Sequence, residues 1–373
     1  MKSKALILLL TSVMLSSCAS TKMEITIKSY NEPLSFHTEN QIGYFNDDYI
    51  YIDKYGKTGL EDLSKSIPIT ISWEANTNIK EPLYIFTYGT NEEFATKGTS
   101  IITKETSVDL NNLLLDQTYY YHVKVDDPKL KTTYVSDSGT FKTSGEGLRN
   151  LNIPTLSNVR DLGGQIIGEG KKRIKQGLIY RSQGFNTAYT TEVTISNDDI
   201  NYLVHVLKIK TEIDLRKDFE ESKGIETGGI TSSPLSESVT YKLLPMIYQS
   251  SNILTRPSNQ DSIKEFFEVI SDINNYPLIF YCSQGKDRTG GLAYIIELLL
   301  GEVHEDAMKD YLFSNFSNVG SVHRTHIEGD AMIYGVISKY ENGETLQEKT
   351  YNYLTEVTGI PSETLDKIIE ILG

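Results

Sequence analysis

Residues 278–300 constrain the fold more than any other part of the chain. They begin with an apolar run that ends at Cys282, continue through a short polar loop, and return to an almost wholly apolar run that stops before Gly301. A short apolar run bounded by polar residues is typical of a buried strand, and a longer one of a buried helix. We therefore predict a strand, a tight loop and a helix whose N-terminus is fixed inside an α/β domain.

The loop between this strand and this helix has the features of an anion site. Its consecutive N–H groups and the helix N-terminus converge on one point and attract negative charge. Cys282 lies at the edge of this positive field, six residues before Arg288. Helix N-termini and nearby cations lower a thiol pKa from about 8.5 to roughly 3.5–7.5, so we expect a thiolate at neutral pH. The planar guanidinium of Arg288 suits two oxygens of one phosphoryl group.

The remaining loop residues fit phosphoryl transfer. In-line attack of the sulfur on phosphorus gives a phosphocysteine that water later hydrolyses, and preorganised donors meet the charge on the equatorial oxygens. Thr289 is expected to donate its hydroxyl to the sulfur, and Gly285 and Gly290 allow close backbone approach. The predicted phosphate-binding residues are Ser283, Gln284, Gly285, Lys286, Asp287 and Arg288.

The loop fits the cysteine-x5-arginine signature of the protein tyrosine phosphatase superfamily. Its string GKDRTG, at residues 285–290, resembles one bacterial branch, the secreted tyrosine/serine (dual-specificity) and phosphoinositide phosphatases. Upstream motifs stand in the order associated with that branch: NVRDLGG at 158–164, YRS at 180–182 and IDLR at 213–216. The resemblance covers about residues 150 to 373. It implies a cysteine-dependent phosphatase that needs no metal or other cofactor and acts on phosphorylated protein or inositol phosphates.

One position departs from this resemblance. The family usually has histidine directly before the nucleophile, whereas this chain has Tyr281. A tyrosine is able to hydrogen-bond to the loop in a similar way, but it cannot carry a positive charge. The departure therefore implies a higher thiol pKa, with slower turnover or altered preference. It also leaves open a second interpretation, a pseudophosphatase that binds phosphate without turnover.

The leaving group needs a proton, and a carboxylic acid within reach is the expected donor. Asp287 is the first candidate, since it lies in the loop and the resemblance points there. Asp161, on the glycine-rich segment, is the second candidate, and the sequence does not decide between them. Arg160 and Arg181 are expected to support the site, although such charges equally form structural ion pairs without a part in the chemistry.

Other charged clusters have ordinary interpretations beside functional ones. Residues 171–173 (KKR) with Lys175 either extend a basic rim around the site or form a solvated hairpin turn, and the turn is favoured. His323 and His326 are three apart, but no cysteine or set of acidic ligands accompanies them, so surface histidines are favoured over zinc. The net charge of −14 argues against nucleic acid as a partner.

The two halves of the chain differ in pattern, which predicts a two-domain protein. Residues 67–73 and 119–125 alternate in the manner of strands, and residues 139–143 resemble a closing strand. We predict an all-β sandwich at 23–143, resembling fibronectin type III or immunoglobulin-like domains. A linker at 144–150 and an α/β phosphatase domain at 151–373, with a central sheet flanked by helices, complete the prediction. A surface adhesion or scaffold role, centred on a sandwich of unknown ligand, is the third interpretation.

Within the second half, strands alternate with helices. The predicted strands lie at 178–180, 211–215, 241–244 and 278–281. The predicted helices lie at 199–207, with Ser196 as a cap, at 262–273 and at 365–372.

The first residues indicate export. Lys2 and Lys4 precede an apolar run that is too short to span a bilayer, and small residues lead to Cys18. We predict a signal peptide at 1–17 and a lipidated N-terminus at 18–22, because Cys18 resembles the acylated cysteine of the bacterial lipobox. The protein is then extracytoplasmic and anchored to a bacterial membrane.

Overall fold

The computed structural model describes residues 24–373 except 57–58, 60, 78, 92, 128–130, 169–171, 186–193, 218–229 and 248–251. The predicted signal peptide, Cys18 and residues 19–23 lie outside this part of the chain. The chain divides into two compact units. The first takes in residues up to 29, 71–108 and 119–140, and the second takes in 30–70, 109–118 and 141–373.

The strands of the described residues are numbered in chain order. They are β1 Glu24–Ile27, β2 Ile69–Asn76, β3 Tyr84–Gly89, β4 Thr99–Thr103, β5 Ser107–Leu110, β6 Thr118–Asp127, β7 Thr132–Val135, β8 Gly139–Lys142, β9 Arg149–Asn150, β10 Arg160–Asp161, β11 Ile166–Ile167, β12 Lys172–Arg173, β13 Ile179–Gln183, β14 Thr211–Asp214, β15 Thr240–Leu243 and β16 Leu278–Cys282.

The helices are numbered in the same way. They are α1 Glu39–Asn46, α2 Ile52–Tyr55, α3 Phe94–Lys97, α4 Asn197–Asn201, α5 Gln260–Ile270, α6 Arg288–Leu300, α7 His304–Phe313, α8 Thr325–Glu328, α9 Ile333–Ser338, α10 Leu346–Glu356 and α11 Ser362–Leu372. A π-helical segment at Tyr202–Val206 extends α4. Within the described ranges, none of the helices has the length and apolarity needed to cross a membrane.

The first unit is built from strands in two sheets. One sheet has the order β1-β2-β5 and the other the order β4-β3-β6-β7. Burial alternates along β2, where Ile71 and Trp73 are buried, as expected for a strand with one face in a core. The strands predicted at 67–73, 119–125 and 139–143 are confirmed as β2, β6 and β8.

The middle of the predicted all-β segment differs from expectation. Residues 30–70 and 109–118 belong to the second unit. They include α1, which begins at the capping box formed by Thr38 and Gln41. The predicted linker at 144–150 is also wrong, because it contains the buried strand β9, which pairs with β10. These segments are assigned by long-range hydrogen bonds, which hydrophobic periodicity does not reveal.

The second unit contains a six-stranded sheet in the order β15-β14-β16-β13-β10-β9. The pairs β15–β14, β14–β16 and β16–β13 are parallel, and β10 is antiparallel to both of its neighbours. The four predicted strands are confirmed as β13, β14, β15 and β16, and the predicted helices as α4, α5 and α11. The mixed sheet and its helices agree with the predicted α/β class.

The central strand β16 leads into α6, whose residues are all buried. The helix ends at Gly301, which adopts the left-handed conformation (φ 92°) that favours glycine at a helix C-terminus. The strand alternates between two cores: Leu278, Phe280 and Cys282 lie in the larger cluster with α6, and Ile279 and Tyr281 lie in a second cluster. The junction of β16 and α6 is therefore at the carboxyl edge of the parallel strands, where α/β folds bind ligands.

Candidate active site

The loop between β16 and α6, residues 282–288, is called the phosphate loop below. Helical hydrogen bonding begins inside it, since the N–H of Gly290 donates to the Lys286 carbonyl (3.0 Å) and that of Gly291 to the Asp287 carbonyl (2.8 Å). The loop is therefore short and ends directly in the helix N-terminus, as the sequence predicts. Such a terminus presents free N–H groups and favours negative charge nearby.

Cys282 is buried, and its surroundings favour the thiolate. Burial is the largest influence and raises the pKa of the thiol. The charge of Arg288, together with the hydroxyl and the N–H of Thr289, outweighs burial, so the pKa lies below its ordinary value. The charge of Asp287 opposes this effect more weakly. The predicted roles of Arg288 and Thr289 in stabilising the thiolate agree with this arrangement.

Arg288 is 3% exposed and is fixed at the carboxyl edge of the sheet. Its Nη1 donates to the carbonyls of Leu215 and Met246, both at 3.2 Å, just after β14 and β15. Its Nη2 lies 3.4 Å from the Ser283 hydroxyl inside the phosphate loop. The guanidinium is thus held by backbone on one side and reaches the loop on the other, which is the orientation that binding of phosphoryl oxygens requires.

Gly285 is the point at which the phosphate loop rests on β13. It has φ +67°, and an added Cβ would lie 2.1 Å from the Ser182 carbonyl oxygen, so only glycine fits. Its own carbonyl accepts from Arg181 Nη2 (2.8 Å) and from Asn158 Nδ2 (3.2 Å). The Asn158 amide also lies 3.4 Å from the Gln284 carbonyl. Two buried side chains therefore hold the loop backbone in place from below.

A buried charge cluster, defined as Arg160, Arg181 and Asp310, lies beneath the loop. The Asp310 carboxylate accepts from Arg160 Nε (2.5 Å) and from Arg181 Nη1. Burial would raise the pKa of Asp310, but the two guanidinium groups outweigh it and lower that pKa. The supporting roles predicted for Arg160 and Arg181 are thus structural, with Arg181 joining the cluster to the loop through Gly285.

The two candidate acids have different surroundings. The Asp161 carboxylate is buried and accepts from Arg149 Nη1 (2.5 Å) and from the N–H groups of Gly163 (2.8 Å) and Gly177 (2.5 Å). It is therefore occupied by structural bonds. Asp287 lies in the loop, where burial is the main cause that raises the pKa of its carboxyl. A carboxyl that holds its proton more readily suits the donor role, so its buried environment makes Asp287 the better candidate.

The side chains of Lys286, in the phosphate loop, and His326, in α8, lie close to Ser321 and to Asp287 respectively. Lys286 Nζ donates to the Ser321 carbonyl (3.2 Å), and His326 Nδ1 lies 3.8 Å from Asp287 Oδ1. His326 was expected to be an ordinary surface histidine, whereas it faces the candidate acid. His323 is exposed, with its ring 5.8 Å from that of His326.

The described part of the basic run, residues 172–175, is engaged elsewhere. Lys172–Arg173 forms β12, which pairs with β11, and this agrees with the predicted hairpin. Arg173 donates to the carbonyls of Gly145 and Gly164, and Lys175 to those of Glu370 and Ile371. Lys171 lies outside the described residues. For Arg173 and Lys175, these bonds argue against the alternative of a basic rim around the site.

Tyr281 does not reach the phosphate loop. It points to the opposite face of β16 from Cys282, and its hydroxyl donates to the Glu212 carboxylate. The Arg216 guanidinium lies over its ring at 5.2 Å, and Arg216 also pairs with Asp214 (2.7 Å). The expectation that Tyr281 would hydrogen-bond to the loop is therefore wrong, because successive strand residues face opposite ways.

Sequence reasoning missed several residues that shape the site. Asp310 and Arg149 were not singled out, and Asn158 stood in a motif without an assigned role. Asp310 had a visible signal, since it occupies a core position on α7 between the buried Met308 and Tyr311. A charged residue in such a position normally has a buried partner. The partners themselves lie 129 and 150 residues away, and no local pattern predicts them.

The fold and the site together define an α/β protein in which the loop before a buried helix carries a cysteine with a lowered pKa. A sequence model described as the tyrosine phosphatase family matches residues 151–372. The chain belongs to this family.

The chain is also similar to individual proteins. A protein of Cupriavidus necator, named "Putative tyrosine-protein phosphatase H16_A0669", is 28% identical over 196 residues, which cover 47% of this chain and 66% of that protein. The chain therefore spans just under two thirds of the length of this curated relative.

Among solved structures, the core catalytic domain of PP-IP phosphatase SIW14 from S. cerevisiae, in complex with citrate, is 18% identical, with 42% of this chain and 77% of that chain covered and a TM-score of 0.27. A second structure of the Siw14 catalytic core is 16% identical, covers 42% of this chain and 76% of that chain, and has the same TM-score.

Proposed function

We propose that this protein is a cysteine-dependent phosphatase that hydrolyses phosphate monoesters through a phosphocysteine intermediate. The observation that carries the proposal is the environment of Cys282: a buried thiol with a lowered pKa at the start of a loop that ends in a helix N-terminus and a fixed arginine. Membership of the tyrosine phosphatase family supports the same conclusion.

In this mechanism the Cys282 thiolate attacks phosphorus, and the bond from phosphorus to the leaving oxygen breaks. Arg288 and the loop N–H groups bind the equatorial oxygens, whose charge they stabilise. Asp287 gives its proton to the leaving oxygen and, once ionised, takes a proton from the water that hydrolyses the phosphocysteine. Thr289 stabilises the sulfur when it departs as a thiolate. The lowered pKa of Cys282 supports turnover rather than a pseudophosphatase that only binds phosphate.

The test is release of phosphate from a simple aryl phosphate in the presence of a metal chelator. Wild type is expected to turn over, and Cys282→Ser is expected to lose turnover while keeping its melting temperature. Brief acid quenching should trap a phosphorylated protein in wild type only. Turnover retained by Cys282→Ser would refute the mechanism.

Phosphorylated protein or inositol phosphates are the substrate classes we propose. Lys286, which belongs to the phosphate loop and is partly exposed, is a cation available to a second phosphate of a multiply phosphorylated substrate. A panel of phosphotyrosine and phosphoserine peptides and inositol phosphates, assayed on wild type and on Lys286→Met, separates the two classes. A loss confined to inositol phosphates would assign them, and an equal loss on all substrates would exclude this role of Lys286.

We also propose that the protein is secreted and anchored through Cys18, and that its first unit is a β-sandwich of the fibronectin type III or immunoglobulin-like kind. The signal-like residues 1–17 support secretion and anchoring. The sandwich is supported by Trp73 of β2, whose ring lies 6.0 Å from that of Phe86 in the other sheet. Labelling with a fatty-acid analogue, lost in Cys18→Ser, tests the anchor.

A further inference from the structure

A short turn outside the family-matched part of the chain contacts the support of the phosphate loop. In this turn Ser64 is buried, and its hydroxyl accepts from the N–H of Asn158 at 3.3 Å. The same hydroxyl donates to Asp62 Oδ1 at 2.6 Å, which fixes the direction of its lone pairs. The N–H of Asn158 is itself buried, so losing this acceptor would leave it without a protein partner, at a cost in free energy.

Asn158 needs this support because its backbone has φ +59°, a conformation that asparagine tolerates better than most residues but that still costs energy. Both polar atoms of its side-chain amide form hydrogen bonds. The amide nitrogen donates to the Gly285 carbonyl, and the amide oxygen accepts from Arg160 Nη1 at 2.5 Å. A shift of the Asn158 backbone would therefore move the support of Gly285.

The turn is anchored as firmly as the residue it supports. Gln41 of α1, fully buried, donates from Nε2 to the carbonyls of Leu63 (2.7 Å) and Lys65 (3.1 Å). The Ser64 carbonyl accepts from Asn150 Nδ2 at 2.7 Å. Ser64 is thus held from both sides while its hydroxyl faces Asn158.

We infer that Ser64 is a positioning residue for the phosphate loop and acts on it through Asn158. The turn at 62–65 is then part of the catalytic unit, although it precedes the family-matched residues 151–372 by more than eighty positions. This inference rests on the proposed function only for its kinetic consequence, since the arrangement of the loop is measurable without turnover.

The test uses Ser64→Ala in the full chain, with Ser66→Ala as the matched control. Ser66 is buried in the same stretch, and its hydroxyl has no hydrogen-bond partner among the described residues. Two readouts are taken: kcat/KM on an aryl phosphate, and the pH dependence of Cys282 alkylation by iodoacetamide, which follows the thiolate. Melting temperature is recorded for both variants.

For Ser64→Ala we expect kcat/KM to fall about five- to tenfold, the equivalent of one hydrogen bond. The alkylation profile should move to higher pH by about half a unit, because a displaced loop stabilises the thiolate less well. Ser66→Ala should change neither readout. A Ser64→Ala protein that matches Ser66→Ala in both readouts would overturn the inference.

A second comparison tests whether Ser64 acts through Asn158. Asn158→Gly removes the side chain while permitting the positive φ. In that background Ser64→Ala should have little further effect on alkylation, whereas full additivity of the two effects would contradict the proposed route. If wild type failed to hydrolyse any substrate, the alkylation result would still decide this inference, and the failure would fall on the proposed function alone.

Discussion

The phosphate loop and the buried charge cluster beneath it use carboxylates in opposite ways. In the cluster, Asp310 bonds to two guanidinium groups, and the pKa of its carboxyl is lowered. In the loop, the carboxyl of Asp287 lies 3.8 Å from His326, beyond hydrogen-bond length, and burial raises its pKa. A carboxylate whose charge is fully compensated holds a structure together, while one that is poorly compensated remains able to exchange a proton.

The largest loss of stability is expected for Asp310, whose negative charge is balanced by two guanidinium groups. Asp310→Asn leaves two buried guanidinium groups without their carboxylate, so the free energy of unfolding should fall by about 3–5 kcal/mol. Urea denaturation measures this. Asp306→Asn is the control, since it makes the same charge change in the first turn of the same helix, and it should cost no more than about 1 kcal/mol. If Asp310→Asn and Asp306→Asn lost the same free energy of unfolding, the structural role assigned to Asp310 would be contradicted.

Asp287, the carboxyl in the phosphate loop, should show the opposite pattern: its replacement should greatly reduce activity and hardly change stability. Asp287→Asn removes the proposed proton donor, so kcat on an alkyl phosphate, a poor leaving group, should fall about a hundred- to a thousandfold. Stability should change by no more than about 0.5 kcal/mol.

Asp161→Asn is the contrasting variant, since its bonds to Arg149, Gly163 and Gly177 are structural. It should lose stability and keep kcat in the folded fraction. If Asp161→Asn instead lost kcat with its stability intact, the assignment of the proton donor would be reversed.

Glu212 is a third carboxyl, and it sharpens the comparison because it is buried on the other face of β16. Burial raises its pKa to about 7, while hydrogen bonds from Ser233 and Tyr281 act in the lowering direction. The native state thus binds a proton that the unfolded chain has released. Stability that is present below pH 4.5 should therefore be lost as pH rises through about 7, by no more than about 3 kcal/mol.

Unfolding by urea at pH 5 and pH 8 measures this contribution. Glu212→Gln, which stays neutral, should show a smaller fall in stability between the two pH values than wild type does. An equal fall in both proteins would place the pH dependence in other groups.

The smallest effect concerns His326. The coulombic influence of His326 lowers the pKa of Asp287, as do those of Lys286, Arg288 and Arg181. Because Asp287 acts in its protonated form, its pKa sets the alkaline limb of kcat/KM. His326→Gln should move that limb to higher pH by a few tenths of a unit, roughly the effect of one partly screened charge. His323→Gln, at the exposed neighbour, should leave it unchanged. A move to lower pH would contradict the sign of the interaction.

Local pattern predicted the elements that carry the site better than it predicted their surroundings. The strand, loop and helix at 278–300 followed from one change of hydrophobic pattern, and Gly285 and Gly301 marked positions that need unusual backbone. The roles of Arg160 and Asp161 remained open because an ion pair and a catalytic pair have the same sequence. Their partners, Asp310 and Arg149, settled the question only through the fold.

The boundary between the two units also depends on contacts between distant residues, which local sequence pattern does not reveal. Alternation identified β2 and β6 correctly, yet it gave no sign that residues 30–70 and 109–118 pack with the second unit. Gln41 and Ser64 are polar residues in an otherwise ordinary stretch. The structural role of each comes from a hydrogen bond to a carbonyl or N–H group that is distant in sequence.

The sequence by itself determined the position of the cysteine, the arginine six residues later and the strand-loop-helix unit that holds them, because these depend on spacing and periodicity over about twenty residues. Only the tertiary structure showed that Asp161 is bound by structural partners, where Tyr281 points and what supports Gly285. The physical reason is that a pKa, a buried ion pair or a satisfied N–H group depends on neighbours in space, and those neighbours come from positions up to 150 residues apart.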